Sequence, residues 1–398
     1  MNTNGKQRNW FLRNGFVQNV TSSLLCILLG LVLGYIVLLI INPAGAWDAI
    51  IDILKNFMNY SKESLQLKNF GNTLAKTAPL LMCSLSILFC YKVGLFNIGA
   101  AGQYVAGACA SLTGALIFHW SWWMCILFAI VVSAAYGAIV GVLKAYCNVN
   151  EVISGIMLNW IGLYTTNIIL QNVKEVASPY TLHLTSDAPQ ALLPALGGST
   201  PWLGSKYMTI AIPIAVLLAI FIKVLLDQTK FGYELKATGC NKNAAKYAGM
   251  AEKRNIIVTL AIGGALAGLG AALFFLTDYE QWSTSASSVP NMGFNGIAAA
   301  FLGGLDPIGS IFSSYFIQHI TAGGAYVDKT MYCSQISDLI SSFIIYLCGF
   351  VLFFKLILNK ILDAREEKAI MKEKMKEAAA SAATAVQDTE NTEGGTKE

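Results

Sequence analysis

Charged residues are scarce in this chain. Only 13% of its 398 residues are Asp, Glu, Lys or Arg, whereas 55% are hydrophobic. Such a composition cannot supply the polar surface that a water-soluble domain needs. Several uncharged runs reach the roughly 20 residues with which a helix crosses a bilayer, and helices satisfy their backbone groups internally in lipid. The sequence therefore predicts an all-α polytopic membrane protein with lipid as its surroundings and no nucleic-acid partner.

Residues that hold metals or form disulfides are few and scattered. The chain has nine cysteines and three histidines, with no Cys-x-x-Cys motif and no Cys/His cluster. An odd number of cysteines, placed mostly inside apolar runs, favours small core residues over a disulfide framework or a metal site. We expect no catalytic residue, no metal and no cofactor in this chain.

A phosphate-binding loop is missing as well. The sequence has no glycine-rich turn that ends in Gly-Lys-Ser/Thr, and Asp328-Lys329-Thr330 lacks the glycine that would let backbone amides surround a phosphate. Any ATP hydrolysis linked to this protein must therefore take place on another polypeptide.

About ten membrane spans are predicted from the apolar runs. They lie near residues 18–42, 73–92, 94–117, 122–146, 152–171, 207–226, 256–277, 291–305, 308–327 and 336–358. The eighth is short, which favours a broken or re-entrant element. The predicted organisation is an amino-terminal segment (1–17), a transmembrane domain (18–358) with a polar loop (227–256), and a charged, largely disordered tail (359–398).

Lysine and arginine concentrate in three segments, which predicts the orientation. These are the amino terminus, the tail from Lys355 onward, and a central loop with Lys230, Lys236, Lys242, Lys246, Lys253 and Arg254. An even number of spans places all three on the cytoplasmic side. Both termini are then cytoplasmic, and the loops 43–72, 172–206 and 278–290 face outward.

A glycine-rich segment, GLFNIGAAGQ at residues 94–103, interrupts an apolar stretch. Its small residues allow close helix packing, while the amides of Asn97 and Gln103 need a partner or a wet cavity. Gly99 and Gln103 fall on one helical face. A similar segment, GFNGIA at residues 293–298, contains Asn295 and opens the eighth span. Interrupted helices in two halves of a transporter are typical of a central path, and a tight packing seam is the alternative.

The segment NEVISGIMLNW, residues 150–160, begins the fifth span with a carboxylate. Glu151 and Asn159 lie eight residues apart and therefore on similar sides of a helix. Glu151 is either a favourable anion that caps the first helical turn or part of a gate between helices.

The central polar loop contains a predicted short helix. Asn241 or Asn243 is suited to cap it, it extends through Tyr247, and Gly249 is suited to end it. A solvated connection whose lysines only set the topology is the alternative. A connection of that kind does not require the helical pattern of Ala244, Ala245 and Gly249.

Four segments together resemble one known family, the membrane permease subunits of ABC importers for ribose, branched-chain amino acids and simple sugars or nucleosides. The order and spacing of these segments are similar to those of signature segments in the nucleoside-type permeases. The four segments are GLFNIGAAGQ, NEVISGIMLNW, ATGCNKNAAKYAGM and GFNGIAAAFLGGLDPIG. The resemblance covers roughly residues 70 to 325. Ala101 stands where the family usually has an acidic residue, so no substrate chemistry is assigned to it.

The resemblance implies a type II-like importer permease in the inner membrane of a bacterium. An extracytoplasmic binding protein or lipoprotein would capture a nucleoside or related solute, two identical or homologous permease chains would form the path, and cytoplasmic ATPase subunits would drive it. Ala244, Ala245, Tyr247 and Gly249 then match the helix that couples to the ATPase. Asn97, Gly99, Gln103, Asn159 and Asn295 are the candidate path residues. A simple sugar or a branched-chain amino acid is the alternative solute.

An ion-coupled carrier is the competing class, and it needs ionisable groups inside the membrane. Lys76, Glu151 and Lys223 lie near predicted span ends, and His319 is the one titratable group predicted well inside a span. This scarcity favours the ATP-driven class. Sodium coupling through amides and backbone carbonyls stays open. A membrane-embedded enzyme is disfavoured, because no nucleophile, base and orienting acid share a face.

Overall fold

A computed structural model describes residues 15–197, 202–333, 335–351, 353–365, 367, 368, 371 and 375. Of the predicted amino-terminal segment, only residues 15–17 are described. Of the predicted disordered tail beyond residue 368, only residues 371 and 375 are described. The described residues are mainly helical and form no strand, only three isolated bridges. The all-α prediction is therefore confirmed.

The helices of the described residues are joined by connections of different length, of which the longest runs from residue 171 to residue 210. In chain order they are α1 (Gly15–Ile41), α2 (Ala46–Lys55), α3 (Glu63–Lys92), α4 (Ala100–Leu116), α5 (Trp122–Cys147), α6 (Glu151–Leu170), α7 (Ala211–Gln228), α8 (Lys230–Cys240), α9 (Lys242–Tyr247), α10 (Glu252–Phe275), α11 (Asn291–Leu302), α12 (Pro307–Gly323) and α13 (Ile336–Cys348). One α-helical turn, Leu184–Asp187, and five 3-10 turns lie between them: Asn56–Asn59, Gln171–Val173, Pro189–Ala191, Trp202–Gly204 and Gly324–Tyr326. Residues 351 and 353–365 are helical as well.

Within the described residues, six helices are long and apolar enough to cross a membrane: α1, α3, α5, α6, α7 and α10. The predicted spans 94–117, 291–305, 308–327 and 336–358 correspond to the shorter helices α4, α11, α12 and α13. α11 has 12 residues, which extend over about 18 Å, well short of the roughly 30 Å hydrocarbon core. The short eighth element is confirmed, and the count of ten stays a prediction.

α3 is the most deeply buried of the six candidate membrane helices. It begins at Glu63, ten residues before the predicted span, because the polar residues 63–72 continue the helix beyond the apolar run. It packs against α7, α10, α11 and α12. The hydroxyl groups of Thr73 and Thr77 donate to the carbonyl oxygens of Asn69 and Thr73, so these buried polar groups are satisfied within the helix.

Glycines bring α10 into backbone contact with α4 and α5. A Cβ added to Gly264 would overlap the carbonyl oxygen of Ser133 in α5, and one added to Gly107 in α4 would overlap the Cα of Gly268. Small residues at such crossings allow helices in lipid to approach closely. This seam fixes α4, which carries part of the candidate site, against two long membrane helices.

The contacts divide the chain into two units. The larger comprises residues 26–349 and contains all the candidate site residues. The smaller consists of the described parts of 1–25 and 350–398, in which the Gln18 side-chain amide donates to Asn359 Oδ1 at 2.6 Å.

Candidate functional site

The helical backbone is interrupted between α3 and α4, where the glycine-rich segment lies. Gly94 turns the chain with a φ of 75°, and residues 95–97 have no regular structure before the turn that leads into α4. Glycine suits this position because a side chain is strained at positive φ. The sequence correctly predicts this break inside an otherwise apolar stretch.

Two predicted path amides pair with each other inside this break. Asn97 Nδ2 donates to Gln103 Oε1 at 2.8 Å, and Gln103 Nε2 donates to Asn97 Oδ1 at 3.2 Å. Asn97 also donates to Ser86 Oγ at 3.1 Å. Both amides are buried, with exposed fractions of 3% and 1%. They hold the break closed against α3 and α4.

Asn159 of α6 reaches across to the same break. Its Oδ1 accepts a hydrogen bond from the Gly102 backbone N–H at 2.7 Å, and its Nδ2 donates to the Ile98 carbonyl at 3.2 Å. α4 begins after Gly99, which has no side chain to cap the helix. Asn159 therefore supplies from a second helix the acceptor that an N-cap residue usually provides.

Gly99 allows this cross-helix capping by its small size. A Cβ on Gly99 would lie 3.3 Å from the Cα of Gly155 in α6, and one on Gly155 would lie 2.9 Å from the Gly99 nitrogen. The two backbones are therefore in direct contact. Four predicted path residues (Asn97, Gly99, Gln103 and Asn159) lie together in one hydrogen-bonded junction, and their place on the path stays a prediction.

Asn295, the fifth predicted path residue, has a different setting. It lies in the first half of α11, and its half-exposed side chain makes no hydrogen bond to another side chain or to the backbone within the described part of the chain. α11 packs against α4, and the two backbones come very close where a Cβ on Gly293 would overlap the Cα of Ala101. The two glycine-rich segments that resemble each other in sequence thus meet in space.

Ala101 lies at this meeting point with only 1% of its surface exposed. A longer acidic side chain, which the family usually carries here, has no space while Gly293 is in contact. The alanine is therefore suited to the close approach of α4 and α11.

Glu151 does not cap α6. The cap is the preceding residue, Asn150, whose side chain accepts from the Val152 N–H at 2.8 Å. Glu151 is a first-turn anion and forms an ion pair with Lys144 of α5 at 2.7 Å. The prediction of a favourable first-turn anion is consistent with this position, and the lysine partner was not predicted.

The predicted short helix in the polar loop is present as α9. The Asn241 side chain accepts from the Ala244 N–H at 3.1 Å, so Asn241 rather than Asn243 is its cap. Gly249 follows with a φ of 78°. The sequence therefore correctly predicts the cap at Asn241 and the glycine at position 249 that follows the helix.

The residues of α9 have two different environments. Tyr247 is 94% exposed and Ala244 is exposed, whereas Ala245 is 3% exposed and packs inside this chain. An outward role for Ala245, as implied by the resemblance, does not agree with this burial. Ala244 and Tyr247 form the free side of the helix.

A network of ion pairs connects α8 to the end of α7 and to the turn before α12. Lys236 of α8 pairs with Asp227 at the end of α7 at 3.1 Å. Asp227 also pairs with Lys223 at 3.7 Å, and Lys223 forms a second ion pair with Asp306. The pair of Lys223 with Asp306 could not be predicted because the two residues lie 83 positions apart, although the aspartate in the segment GGLDPIG is a visible signal.

The loops at the other end of the helices pack on each other. Trp282 Nε1 donates to Asn167 Oδ1 at 3.0 Å, and Gln281 Nε2 donates to the Thr181 carbonyl at 2.6 Å. Hydrogen bonds from Gln281 and Ser178 hold the pKa of Glu175 below its usual range. These contacts give the segments 174–187 and 278–284 a defined shape on the side predicted to face outward.

Residues 69–349 match the family described as branched-chain amino acid transport system / permease component, which is more than half of the chain. The chain therefore belongs to this family and is a membrane permease component rather than an ATPase. It is similar to the nucleoside ABC transporter permease protein NupB of Lactococcus lactis (28% identity, covering 90% of this chain and 98% of that one). It is also similar to the guanosine ABC transporter permease protein NupP of Bacillus subtilis (29%, covering 81% and 90%). The glucose ABC transporter permease protein TsgB13 of Haloferax volcanii is 27% identical and covers 65% of this chain and 70% of its own. No solved structure matches.

Proposed function

We propose that this chain is the membrane path subunit of an ATP-driven importer for a nucleoside. The observation that carries the proposal is the similarity to NupB and NupP, which extends over most of this chain and at least 90% of each relative. The relatives' names supply the solute class. The paired amides at the α3–α4 break suit a neutral solute, because amides bind such solutes without the cost of a buried charge.

The proposed assembly contains three further kinds of subunit. A binding protein or lipoprotein delivers the solute to the outward loops, a second permease chain completes the path, and cytoplasmic ATPases hydrolyse ATP. Both termini and the α8–α9 segment are proposed to be cytoplasmic, because Lys and Arg concentrate there.

Within the path, the junction of Asn97, Gly99, Gln103 and Asn159 is proposed to form a wall, since its amides already have partners in this chain. Asn295 is proposed to face the solute, because its half-exposed amide has no protein partner in the described residues. Glu151 is proposed to fix the entry of α6 through Lys144 rather than to act as a gate.

Deletion of this chain is expected to abolish high-affinity uptake of tritiated uridine and guanosine in a strain that lacks other nucleoside carriers. Uptake should return when the full chain is supplied, and it should respond to depletion of ATP rather than to collapse of the ion gradient. Nucleoside accumulation that survives the deletion would contradict the substrate assignment. Accumulation that follows the ion gradient would instead favour the ion-coupled class.

Glucose is the second candidate solute class, because TsgB13 covers a large part of this chain. Competition of labelled uridine uptake by excess unlabelled nucleosides, sugars and branched-chain amino acids separates the candidates. Only nucleosides are expected to compete.

The free side of α9 is proposed to seat in a groove of the ATPase. Tyr247→Ala is expected to reduce co-purification of the ATPase by about tenfold or more, since an exposed aromatic residue is a frequent hot spot of an interface. Lys242→Ala is the matched control on the same exposed helix and should change association little. Equal ATPase recovery from the two variants would show that α9 is only a connection. Ala245→Trp is unsuited to this test because Ala245 is buried in its own chain.

A further inference from the structure

α8 connects the exposed helix α9 to the membrane helices without a flexible linker. Only Asn241 separates the two helices, and this residue caps α9. At its other end, α8 is capped by Thr229, whose Oγ1 accepts from the Gly232 N–H at 3.0 Å. A Cβ on Gly232 would overlap the carbonyl oxygen of Leu225, so α8 lies directly on the last turn of α7. When α9 is displaced, α8 must therefore move with it.

The carboxyl-terminal end of α8 is in backbone contact with the break between α3 and α4. A Cβ on Gly239 would overlap the carbonyl group of Val93, and a Cβ on Gly94 would lie 2.8 Å from the Gly239 carbonyl oxygen. Gly94 is the residue with positive φ that turns the chain into the break. No side chain separates the backbone at Gly239 from the backbone at Val93 and Gly94. Movement at Gly239 therefore acts directly on this turn.

A buried hydrogen bond keeps this contact in register. Asn255 Nδ2 of α10 donates to Thr238 Oγ1 of α8 at 2.8 Å, and both side chains are almost fully buried. Thr238 in turn donates to the Glu234 carbonyl at 2.8 Å. The pair restricts rotation of α8 beside Gly239.

The short helices α4 and α11, which contain or follow the two glycine-rich segments, are called half-helices, and the charged network links α8 to α11. Lys236 and Lys223 share Asp227, and Lys223 also binds Asp306. Asp306 lies in the turn that follows α11, and its Oδ1 caps α12 by accepting from the Ile308 N–H at 2.8 Å. α8 therefore has a direct contact to the turn before α4 and an ionic connection to the turn after α11.

We propose that α8 transmits motion from the ATPase-facing helix α9 to both half-helices at once, with Gly239 and Asp306 as positioning residues. This inference rests on the proposed function. α4 and α11 meet at Ala101 and Gly293. Movement of the turn before α4, of the turn after α11, or of both therefore changes the contact between the two helices. A few residues at element ends are sufficient to act as hinges of this kind, and Gly94 has the conformational freedom for it.

The test uses the complete importer, with its ATPase, second permease and binding protein, reconstituted in lipid vesicles. Tritiated uridine and guanosine transported per ATP hydrolysed are measured for Gly239→Ala and Asp306→Asn. Both variants should keep ATPase co-purification and binding-protein-stimulated hydrolysis, because α9 is unchanged. Transport per ATP should fall about tenfold, which is typical of a coupling between two sites.

Glu234→Gln is the matched control, because it also changes an acid to its amide. The Glu234 side chain on α8 pairs at 3.9 Å with Lys230, whose side chain is 90% exposed, and this pair connects α8 to neither α4 nor α11. Transport per ATP should therefore be unchanged. If Gly239→Ala does not accumulate, Asp306→Asn decides the result, since asparagine still caps α12 and loses only the ion pair.

Unchanged transport per ATP in Asp306→Asn, or in a correctly assembled Gly239→Ala, would overturn the inference. Loss of ATPase association in either variant would also overturn it, because α8 would then belong to the docking surface. A wild-type complex that binds no ATPase or transports neither nucleoside would instead refute the proposed function, so the two failures are distinguishable.

Discussion

Replacing Gly264 with alanine is expected to prevent stable accumulation of the chain in the membrane. The added methyl group would overlap the carbonyl oxygen of Ser133, a backbone atom that cannot rotate away, so α5 and α10 would have to separate. Overpacking of a tight core costs about 1–3 kcal/mol, and separation also weakens the close packing that holds helices together in lipid. Membrane levels and thermal unfolding in detergent measure the effect.

Gly162→Ala provides the matched control for this experiment. Its new Cβ would lie 3.2 Å from the Tyr136 hydroxyl, the end of a side chain that can move by a few tenths of an ångström. This variant should accumulate close to the wild-type level with a similar unfolding temperature. A Gly264→Ala chain that is as abundant and as stable as Gly162→Ala would show that the α5–α10 contact does not limit folding.

Features that depend on neighbouring residues could be predicted from the sequence. Asn241 and Gly249 lie at the two ends of α9, and each acts through its own backbone geometry. The break near Gly94 is also local, because a polar, glycine-rich segment interrupts an apolar run. Long apolar helices follow from composition in the same way, since lipid requires internal backbone hydrogen bonds.

Partners of side chains could not be predicted, because they depend on which helices become neighbours. Asn97 was a path candidate because its polar amide lies in a glycine-rich break that resembles the permease family, and the structure pairs this amide with Gln103. Lys223 was placed near a span end, while its partner Asp306 lies 83 residues away in sequence. Spacing along one helix carries no information about such pairs.

Which side of the short helix α9 is exposed could not be predicted from the sequence either. Ala244 and Ala245 are chemically identical, but the first is exposed and the second is buried. Six residues make less than two turns, too few for a hydrophobic periodicity to define a face. The similarity of the two glycine-rich segments did indicate that two interrupted helices exist, and the contact of Ala101 with Gly293 is the tertiary consequence.

Replacing Asn159 with leucine is expected to destabilise the break between α3 and α4 and to abolish uptake. The change removes the acceptor for the Gly102 N–H and the donor for the Ile98 carbonyl. A buried polar group left without a partner costs about 1–3 kcal/mol, so a loss of about 2–6 kcal/mol is expected where two such groups lose their partners together. Gly99 has no side chain that could replace the lost cap.

Thr165→Leu is the control on the same helix, because Thr165 is exposed and has no role in the junction. It should leave the unfolding temperature and nucleoside uptake near the wild-type values. The pattern of the Asn159→Leu result then separates the two interpretations of this amide. Loss of both stability and uptake supports a structural junction, whereas loss of uptake with unchanged stability would place Asn159 on the solute path. Unchanged values for both would refute each interpretation, since neither a wall nor a lining of the path could lose this amide without effect.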